Sequence, residues 1–160
     1  MSKLPAVTVD SIMTSEVHVI TPDMTVQQAI GLLLKYKISG APVVDQLTKV
    51  ISMISEGDAM KLAATSGLDT PIHQCLEKLL TPSQLVTLRR TATFADLYRT
   101  FMQENVHRII IIDSNGKLLG LVSRSNVLRL LYSPKEEVKN AGAPGPAVDT
   151  GKPVEAKKTA

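Results

Sequence analysis

The sequence contains one unit twice, at a fixed offset of 68 residues, which is the distance from Thr25 to Thr93. Each of these threonines precedes an apolar pattern with helical spacing, and the same offset pairs Asp45 with Asp113. The correspondence runs without a gap from about residue 21 to residue 62 of the first copy. An internal repeat of this kind predicts two copies of one structural unit that pack about a pseudo-twofold axis.

Each copy has the pattern helix, strand, strand, helix. Thr25, with Gln28 three residues later, has the spacing of a capping box at a helix start. Two short apolar strands follow over 41–44 and 49–54, and a second helix begins after Ser55. The equivalent features of the second copy are Thr93 with Asp96, strands over 108–112 and 117–122, a turn at Asn115-Gly116 and a helix after Ser123. The sequence therefore predicts an α+β fold made of two α-β-β-α repeats.

The segments outside these units complete the expected organisation. A short strand precedes the first helix of each repeat, over 17–20 and 86–88. Pro71 and Pro82 bracket a stretch with the character of a connecting helix, because proline suits the first helical position and the residues just beyond a helix end. The expected division is a first repeat at 1–69, a connecting helix or linker at 70–83, a second repeat at 84–133 and a flexible tail at 134–160.

Composition argues against several classes of protein. A mean hydropathy of +0.10 argues against a disordered chain, and the longest apolar runs are too short to cross a bilayer. Only 3% of the residues are aromatic and the net charge is +3, which disfavours a binder of single-stranded nucleic acid. Cys75 is the only cysteine, so an internal disulfide is excluded. Because the N-terminus has no signal-like apolar segment, we expect a cytoplasmic protein.

The residue pattern does not predict an enzyme or a metal site. No nucleophile is paired with a base in the sequence, and no glycine-rich phosphate loop of the GxxxxGK[ST] kind occurs. The three histidines, His18, His73 and His107, are scattered and have no cysteine partners at metal-ligand spacing. We therefore expect a protein that binds rather than catalyses, without a bound metal.

Four segments carry a resemblance to a known family. They are GAPVVD at 40–45, SMISEGD at 52–58, VHRIIIID at 106–113 and GLVSRSN at 120–126. Together they resemble a tandem pair of CBS domains, also called a Bateman module, over about residues 8–132. The second copy is similar to the last repeat of the gamma subunit of AMP-activated kinase.

The resemblance implies a fold, a ligand class and a regulatory role. Two CBS repeats would pack through their small sheets and bind ligands in the clefts between them. The ligands are most often AMP, ADP, ATP or S-adenosylmethionine, and no metal is needed. The resemblance further implies a sensor that signals to a regulated partner protein, pairs into a homodimer through helix faces and has no catalytic activity.

Ser55 and Asp58 admit two interpretations. A Ser-x-x-Asp pattern at a helix start is a capping box, in which the carboxylate also favours the positive end of the helix by up to about 1 kcal/mol. The resemblance implies that Asp58 accepts hydrogen bonds from both ribose hydroxyls and that Ser55 contacts ribose or phosphate. Both roles can coexist because a carboxylate has several lone-pair sites. In the second copy Ser123 is followed by the uncharged Asn126. We therefore expect unequal sites, with the Asn126 site weak, different in ligand, or empty.

His107 and Arg108 are the candidate phosphate contacts. A planar guanidinium meets phosphate oxygens in pairs, and a histidine adds positive charge below about pH 6.5. The resemblance implies that such residues reach across the pseudo-twofold axis, so that Arg108 serves the Asp58 cleft. The equivalent position of the first copy is Gly40, which offers no charge. The alternative is an ordinary solvated or ion-paired arginine.

The adenine ring of such a ligand needs an apolar slot with backbone hydrogen bonds. Plain core packing is the alternative role for every candidate. The candidates are Val19, Ile20, Ile38, Ala41, Pro42, Thr87, Leu88, Val106, Ile109 and Ile110.

Two other functions stay open at this point. A structural dimerisation module that no longer uses its clefts is favoured by Asn126 and Gly40 and disfavoured by Asp58 together with Arg108. Nucleic-acid binding is favoured only by a pI of about 9.0 and by the lysines of the tail.

Overall fold

The computed structural model describes residues 4–132. Within this range each repeat contributes two α-helices and one antiparallel hairpin, and the second repeat has one additional short strand. The elements are α1 (Val26–Tyr36), β1 (Gly40–Val44), β2 (Val50–Ser55), α2 (Glu56–Thr65), β3 (Thr87–Arg89), α3 (Phe94–Gln103), β4 (Arg108–Ile112), β5 (Leu118–Ser123) and α4 (Arg124–Leu131). This architecture confirms the predicted α+β tandem repeat.

The α-helices of residues 4–132 all begin with a capping box. At α1 the Thr25 hydroxyl accepts a hydrogen bond from Gln28 N (3.1 Å), and the Gln28 side chain accepts one from Thr25 N (2.9 Å). A cap of this kind stabilises a helix start by about 1 kcal/mol, so each helix begins at the predicted residue. The equivalent pairs are Ser55 with Asp58 at α2, Thr93 with Asp96 at α3 and Ser123 with Asn126 at α4.

The two hairpins have the same strand pairing, and each has a bulge at the equivalent position. β1 pairs with β2, and β4 pairs with β5, both antiparallel. The register shifts between Val43 and Val44 in the first hairpin and between Ile111 and Ile112 in the second, which are equivalent points at the 68-residue offset. A bulge at the same place in both copies gives both hairpins the same local twist.

The two hairpin turns are also equivalent, and they contact each other. Asp45 and Asp113 each accept two backbone N–H groups of their own turn through Oδ1. Gly116 has a φ of +80°, and Thr48 takes the same left-handed region at +60°. The turns then exchange hydrogen bonds, because Val50 N donates to Gly116 O (3.1 Å) and Leu118 N donates to Thr48 O (3.0 Å). The hairpin predicted at Asn115-Gly116 is confirmed.

Each repeat has its own apolar core, and a third cluster joins the two. The first core contains Ile54 and the second contains Phe94, both completely buried. The third cluster consists of Val44, Val50 and Ile110, so it takes residues from the hairpins of both repeats. The repeats therefore pack through their sheets, as expected.

The segments that precede the two repeats are exchanged between the cores. Val9 N donates to Ala92 O (2.9 Å), and at the equivalent position Ile72 N donates to Met24 O (2.8 Å). Val9 is buried in the core of the second repeat, and Ile72 is buried in the core of the first. Each repeat is therefore completed by a segment that lies ahead of the other repeat in the chain.

The connecting helix predicted between the repeats is wrong. This stretch forms separate 3-10 turns at Ile72–Gln74, Leu76–Lys78 and Pro82–Gln84. Pro71 has extended dihedral angles and pairs with Thr25, which ties the segment to the start of α1. The backbone is thus held by hydrogen bonds to the first repeat, and a continuous helix would break that attachment.

The strand predicted over 17–20 reduces to a single parallel bridge between Ile20 and Val43. Its equivalent in the second repeat is β3, which runs parallel to β4 and is shifted by one residue from the predicted 86–88. The tail predicted over 134–160 lies outside the described residues.

Large apolar residues are exposed at equivalent positions on the helices of both repeats. Leu34 on α1 and Met102 on α3 are 73% and 66% exposed, although both fit the helical spacing of the apolar positions. Met60 on α2 and Leu128 on α4 are 73% and 64% exposed. Exposed apolar surface of this kind is typical of a face that contacts another molecule.

Candidate functional site

Two clefts lie where the repeats meet, and the first is named here the Asp58 cleft. Its volume is about 270 Å³, and both repeats line it. It brings together Ser55, Asp58, His107 and Arg108, which are four of the predicted site residues. The remaining lining residues are Ser39, Met53, Leu80, Gln84, Leu85, Val86, Asn105, Val106 and Ile110.

The second cleft, named here the Asn126 cleft, is the pseudo-symmetric equivalent of the first. Its volume is about 290 Å³. It brings together Ser123 and Asn126, and it shares Ser39 and Arg108 with the Asp58 cleft. The remaining lining residues are Thr14, Glu16, Val17, His18, Lys37, Ile38, Gly40 and Leu121.

Asp58 serves the helix cap with only one of its two carboxylate oxygens. Oδ2 accepts hydrogen bonds from Ser55 N (2.9 Å) and from the Ser55 hydroxyl (2.7 Å), and that hydroxyl accepts one from Asp58 N (3.1 Å). Oδ1 accepts no hydrogen bond from residues 4–132. The Ser55 hydroxyl is committed to the cap, whereas Asp58 keeps a charged acceptor for a ligand.

Asn126 presents the opposite chemistry at the equivalent position. Its Oδ1 accepts hydrogen bonds from Ser123 N and from the Ser123 hydroxyl, both at 2.8 Å. The cap requires an acceptor there, so the amide must point its oxygen at Ser123 and its Nδ2 away. Asn126 therefore has two N–H donors left for a ligand and no free acceptor oxygen.

Arg108 lies between the clefts and crosses from the second repeat to the first. Its guanidinium donates a hydrogen bond to the Ser39 hydroxyl. It also packs over Gly40, where an added Cβ would lie 2.6 Å from Arg108 Nη1. Gly40 is the residue equivalent to Arg108, so the first repeat leaves open the space that the arginine of the second repeat fills.

The environment of Arg108 favours an anionic ligand. No carboxylate of residues 4–132 forms an ion pair with the guanidinium. Burial lowers its pKa from the usual value, and the charge of Glu56 partly opposes this effect. An arginine stays protonated despite such a shift. A partly buried cation without an ion-pair partner is stabilised when an anion enters the cleft.

The predicted adenine slot is only partly supported by the structure. Ile38 lines the Asn126 cleft, and Val106 and Ile110 line the Asp58 cleft. The other candidates line neither cleft. Ile20, Ala41 and Pro42 are fully buried, because they pack in the first core and in the sheet. Val19 packs in the cluster between the repeats, and Thr87 pairs with Ile110 inside the second sheet.

The sequence interpretation missed several residues of the clefts. Ser39, Asn105 and Lys37 lie just outside the motifs that suggested the site, and Gln84 lies in the segment between the repeats. The 68-residue offset could have indicated some of them, because it aligns Ser39 with His107 and Lys37 with Asn105.

Other kinds of site find no support in the described part of the chain. Residues 4–132 contain no group of three or more His, Cys, Asp or Glu side chains placed to hold a metal ion. Cys75 is a free thiol buried in the first core. Among the helices of this range, none is long and apolar enough to span a bilayer.

Comparisons with known proteins place the chain in a family. The sequence model of the CBS domain matches residues 9–65 and 76–133. The chloroplastic CBS domain-containing protein CBSX2 of Arabidopsis thaliana is 28% identical in a 161-residue alignment. This alignment covers 84% of this chain and 67% of that protein. The gamma subunit of 5′-AMP-activated protein kinase from Dictyostelium discoideum is 28% identical over 123 residues, which cover 71% of this chain and 21% of that protein.

A solved structure agrees with the sequence matches. The crystal structure of CBSX2 in complex with AMP superimposes with a TM-score of 0.67 at 25% identity and covers 82% of this chain and 98% of that one. The family match spans well over half of the chain, in two successive copies. This chain therefore belongs to the CBS-domain family and carries two CBS domains in tandem.

Proposed function

We propose that this chain is a regulatory module that binds an adenine nucleotide in the Asp58 cleft and signals its occupancy to a partner protein. The observation that carries the proposal is the placement of Asp58 and Arg108, one from each repeat, on the same cleft of about 270 Å³. AMP, ADP and ATP are the first candidates, and S-adenosylmethionine is a further one.

The lining of the Asp58 cleft offers a partner for each part of a nucleotide. Asp58 Oδ1 would accept hydrogen bonds from the ribose hydroxyls, and the Arg108 guanidinium would bind phosphate oxygens. His107, which is exposed beside Arg108, would add a hydrogen bond to the phosphate. Val86 and Val106 offer apolar surface to the base. The AMP in the structure of CBSX2 supports this choice of ligand.

Signalling would arise because the ligand contacts both repeats. A ligand that binds one arrangement of two repeats more tightly than another shifts the equilibrium by that difference in affinity. Ser39 and Asp58 belong to the first repeat, and His107 and Arg108 belong to the second, so their joint contacts would favour one relative orientation.

Isothermal titration with AMP and 2′-deoxy-AMP tests the proposal. We expect the wild-type chain to bind AMP about tenfold more tightly than 2′-deoxy-AMP, because a hydrogen bond to a charged group is lost. Asp58→Asn should keep the cap, as Asn126 does at the equivalent position, and should lose this preference. Asp69→Asn removes the same charge from an exposed position outside both clefts and is the matched control.

Two results of these titrations would contradict the proposal. No measurable binding of AMP, ADP, ATP or S-adenosylmethionine at about 5 mM ligand would refute nucleotide sensing. Binding that is the same in Asp58→Asn would show that the ligand uses another surface. ADP and ATP titrations of the wild-type chain would then rank the ligands.

A structural homodimer is the second candidate function. The exposed apolar residues Leu34, Met60, Met102 and Leu128 recur at equivalent helix positions, which supports contacts of these faces with a second copy. Analytical ultracentrifugation of the wild-type chain and of Met60→Lys/Leu128→Lys measures this directly. A dimer that dissociates in the double variant supports the proposal. A wild-type monomer at about 0.1 mM contradicts it.

The remaining expectations concern partner and location. A regulated partner protein follows from the proposed sensor role, and affinity capture with and without AMP would identify one whose binding depends on the nucleotide. Nucleic-acid binding would need a steep loss of affinity with salt. A cytoplasmic location stays a prediction, which cell fractionation would test.

A further inference from the structure

The Asn126 cleft presents hydrogen-bond donors where the Asp58 cleft presents an acceptor. The two N–H groups of Asn126 Nδ2 remain after the cap has used Oδ1. Lys37 and Arg108 line the same cleft and can only donate. Glu16 is the single carboxylate among the lining residues, so two cations face one anion. This arrangement suits a ligand with several acceptor oxygens better than a ribose diol.

Both clefts depend on one guanidinium. Arg108 lines the Asp58 cleft and the Asn126 cleft, and the equivalent residue of the first repeat is Gly40. The close approach of Arg108 to Gly40 leaves no room there for a second arginine. The guanidinium is held between the clefts by its hydrogen bond to Ser39, which also lines both.

We propose that the Asn126 cleft binds a small multiply charged anion, of the phosphate or diphosphate class, and that it competes with the Asp58 cleft for the Arg108 guanidinium. An anion in either cleft then weakens the binding of an anion in the other. The anion site stands on its own geometry, whereas the competition rests on the proposed nucleotide binding in the Asp58 cleft.

The competition follows from the geometry of the arginine. A guanidinium binds phosphate best through two parallel hydrogen bonds along one edge of its plane. One side chain cannot direct the same edge at anions in two different clefts. An anion that has bound the guanidinium also neutralises the charge that attracts a second one. A neutral ligand in the Asp58 cleft has neither effect.

Nuclear magnetic resonance of the ¹⁵N-labelled full chain can measure the two clefts separately. The side-chain amide of Asn126 reports the Asn126 cleft, and the backbone amide of Asp58 reports the other. Pyrophosphate is titrated alone, with saturating AMP and with saturating adenosine. We expect the Asn126 signal to saturate with pyrophosphate, with an affinity about tenfold lower in the presence of AMP and unchanged in the presence of adenosine.

Two variants distinguish the role of Arg108, which lines both clefts, from that of Lys37, which lines only one. Arg108→Ala should weaken pyrophosphate at Asn126 about tenfold and abolish the effect of AMP on what binding remains. Lys37→Ala should also weaken pyrophosphate, because Lys37 lines only the Asn126 cleft, but the effect of AMP should persist. Circular dichroism confirms that both variants are folded.

The possible failures are distinguishable. An Asn126 signal that does not respond to pyrophosphate at about 10 mM overturns the anion site. Equal effects of AMP and adenosine, or an AMP effect that survives Arg108→Ala, overturn the competition. An Asp58 amide that does not respond to AMP refutes the proposed function and the competition with it. The pyrophosphate titrations of the wild-type chain and Arg108→Ala still decide the anion site in that case.

Discussion

The Asp58 cleft and the Asn126 cleft are built by equivalent backbone elements and differ in most of the side chains that line them. Both open beside a strand that runs into a capped helix, and both caps make the same hydrogen bonds. Toward the clefts that they line, however, Asp58 offers an acceptor oxygen and Asn126 offers two donors. Asn126 has a nitrogen where Asp58 has its second oxygen, and the cap is unchanged. One position therefore offers hydrogen-bond donors and the other an acceptor.

The same comparison explains the single arginine at the centre. Arg108 can cross to the first repeat because Gly40 occupies the equivalent position and has no side chain. Two copies of an identical unit would place two guanidinium groups, or two glycines, on the axis. Because the equivalent residues are Gly40 and Arg108, one guanidinium lines both clefts. Neither repeat could produce this arrangement by itself.

The largest expected effect concerns the two cores. Val26 and Phe94 are equivalent, and both are at most 1% exposed. Phe94→Ala should destabilise the chain by about 4 kcal/mol, and Val26→Ala by about 2 kcal/mol, because the lost apolar volume differs. Urea unfolding of both variants measures the difference.

The shape of those unfolding curves shows whether the two cores unfold together. Each core contains a segment that lies ahead of the other repeat in the chain, so the two cores should unfold together. We therefore expect one cooperative transition in both variants. A biphasic curve for Phe94→Ala, with the first repeat still folded, would contradict that coupling. Leu130→Ala, at a partly buried position in the second repeat, provides a milder control.

The next largest effect is expected for a variant that gives the Asn126 cleft the carboxylate of the Asp58 cleft. Asn126→Asp keeps the cap acceptor and replaces two donors by a charged acceptor. We expect the Asn126 cleft to gain about tenfold in adenosine affinity and to lose pyrophosphate binding by a similar factor. The two titrations, followed by the amide of residue 126, give both numbers.

One outcome of that substitution would contradict the assigned role of Asn126. An unchanged pyrophosphate affinity would show that the donors of Asn126 are not used. Ser114→Asp adds the same charge at an exposed position of the same repeat, outside the residues that line the cleft, and is the control for a general electrostatic effect.

A smaller effect tests how the segment between the repeats is fixed. The buried Ser52 hydroxyl donates to Leu80 O (2.8 Å), and Leu80 lines the Asp58 cleft. The equivalent residue is Gly120, where a Cβ would lie 2.7 Å from Thr14 O. Ser52→Ala should cost about 1 kcal/mol of unfolding free energy, because one buried hydrogen bond is lost.

That variant should also act on one cleft only. Amide chemical shifts should change around the Asp58 cleft and stay constant around the Asn126 cleft. Thermal unfolding gives the energy, and Ser83→Ala, an exposed serine of the same segment, provides the control. Equal shifts in both clefts would contradict a local role for Ser52.

Much of the fold could be predicted because local chemistry specifies it. Thr25 and Ser123 cap their helices through hydrogen bonds to residues only three positions away, so the pattern is visible in the sequence. Segment exchange was not predictable in this way. Val9 and Ile72 are apolar residues like many others, and which core they enter is decided by contacts far along the chain.

The candidate site shows the same division. The convergence of Asp58 and Arg108 could be expected from the family resemblance. Ile20 and Ala41 have the same apolar character as a residue that contacts a base, and only packing shows that they are buried. The donor character of Asn126 follows from the cap, which takes the amide oxygen as its acceptor and leaves Nδ2 for the cleft.

The smallest effect compares the first helix of each repeat at acidic pH. Hydrogen bonds from the hydroxyl and the backbone N–H of Thr93 lower the pKa of Asp96, with a contribution from Arg99. A carboxylate with a lowered pKa contributes stability that is fully present above its unfolded value of about 3.9 and is lost as the pH falls through the folded value. Gln28 caps α1 at the equivalent position and does not titrate.

Asp96→Asn isolates this contribution, because it keeps an acceptor for the cap and removes the titration. The wild-type chain should exceed the variant in urea midpoint by a constant amount between pH 7 and pH 5, and the difference should shrink by pH 3. Asp10, Asp23 and Asp113 also have lowered pKa values, but they are common to both proteins and cancel. A difference that grows on acidification would show that the charged form of Asp96 opposes the fold.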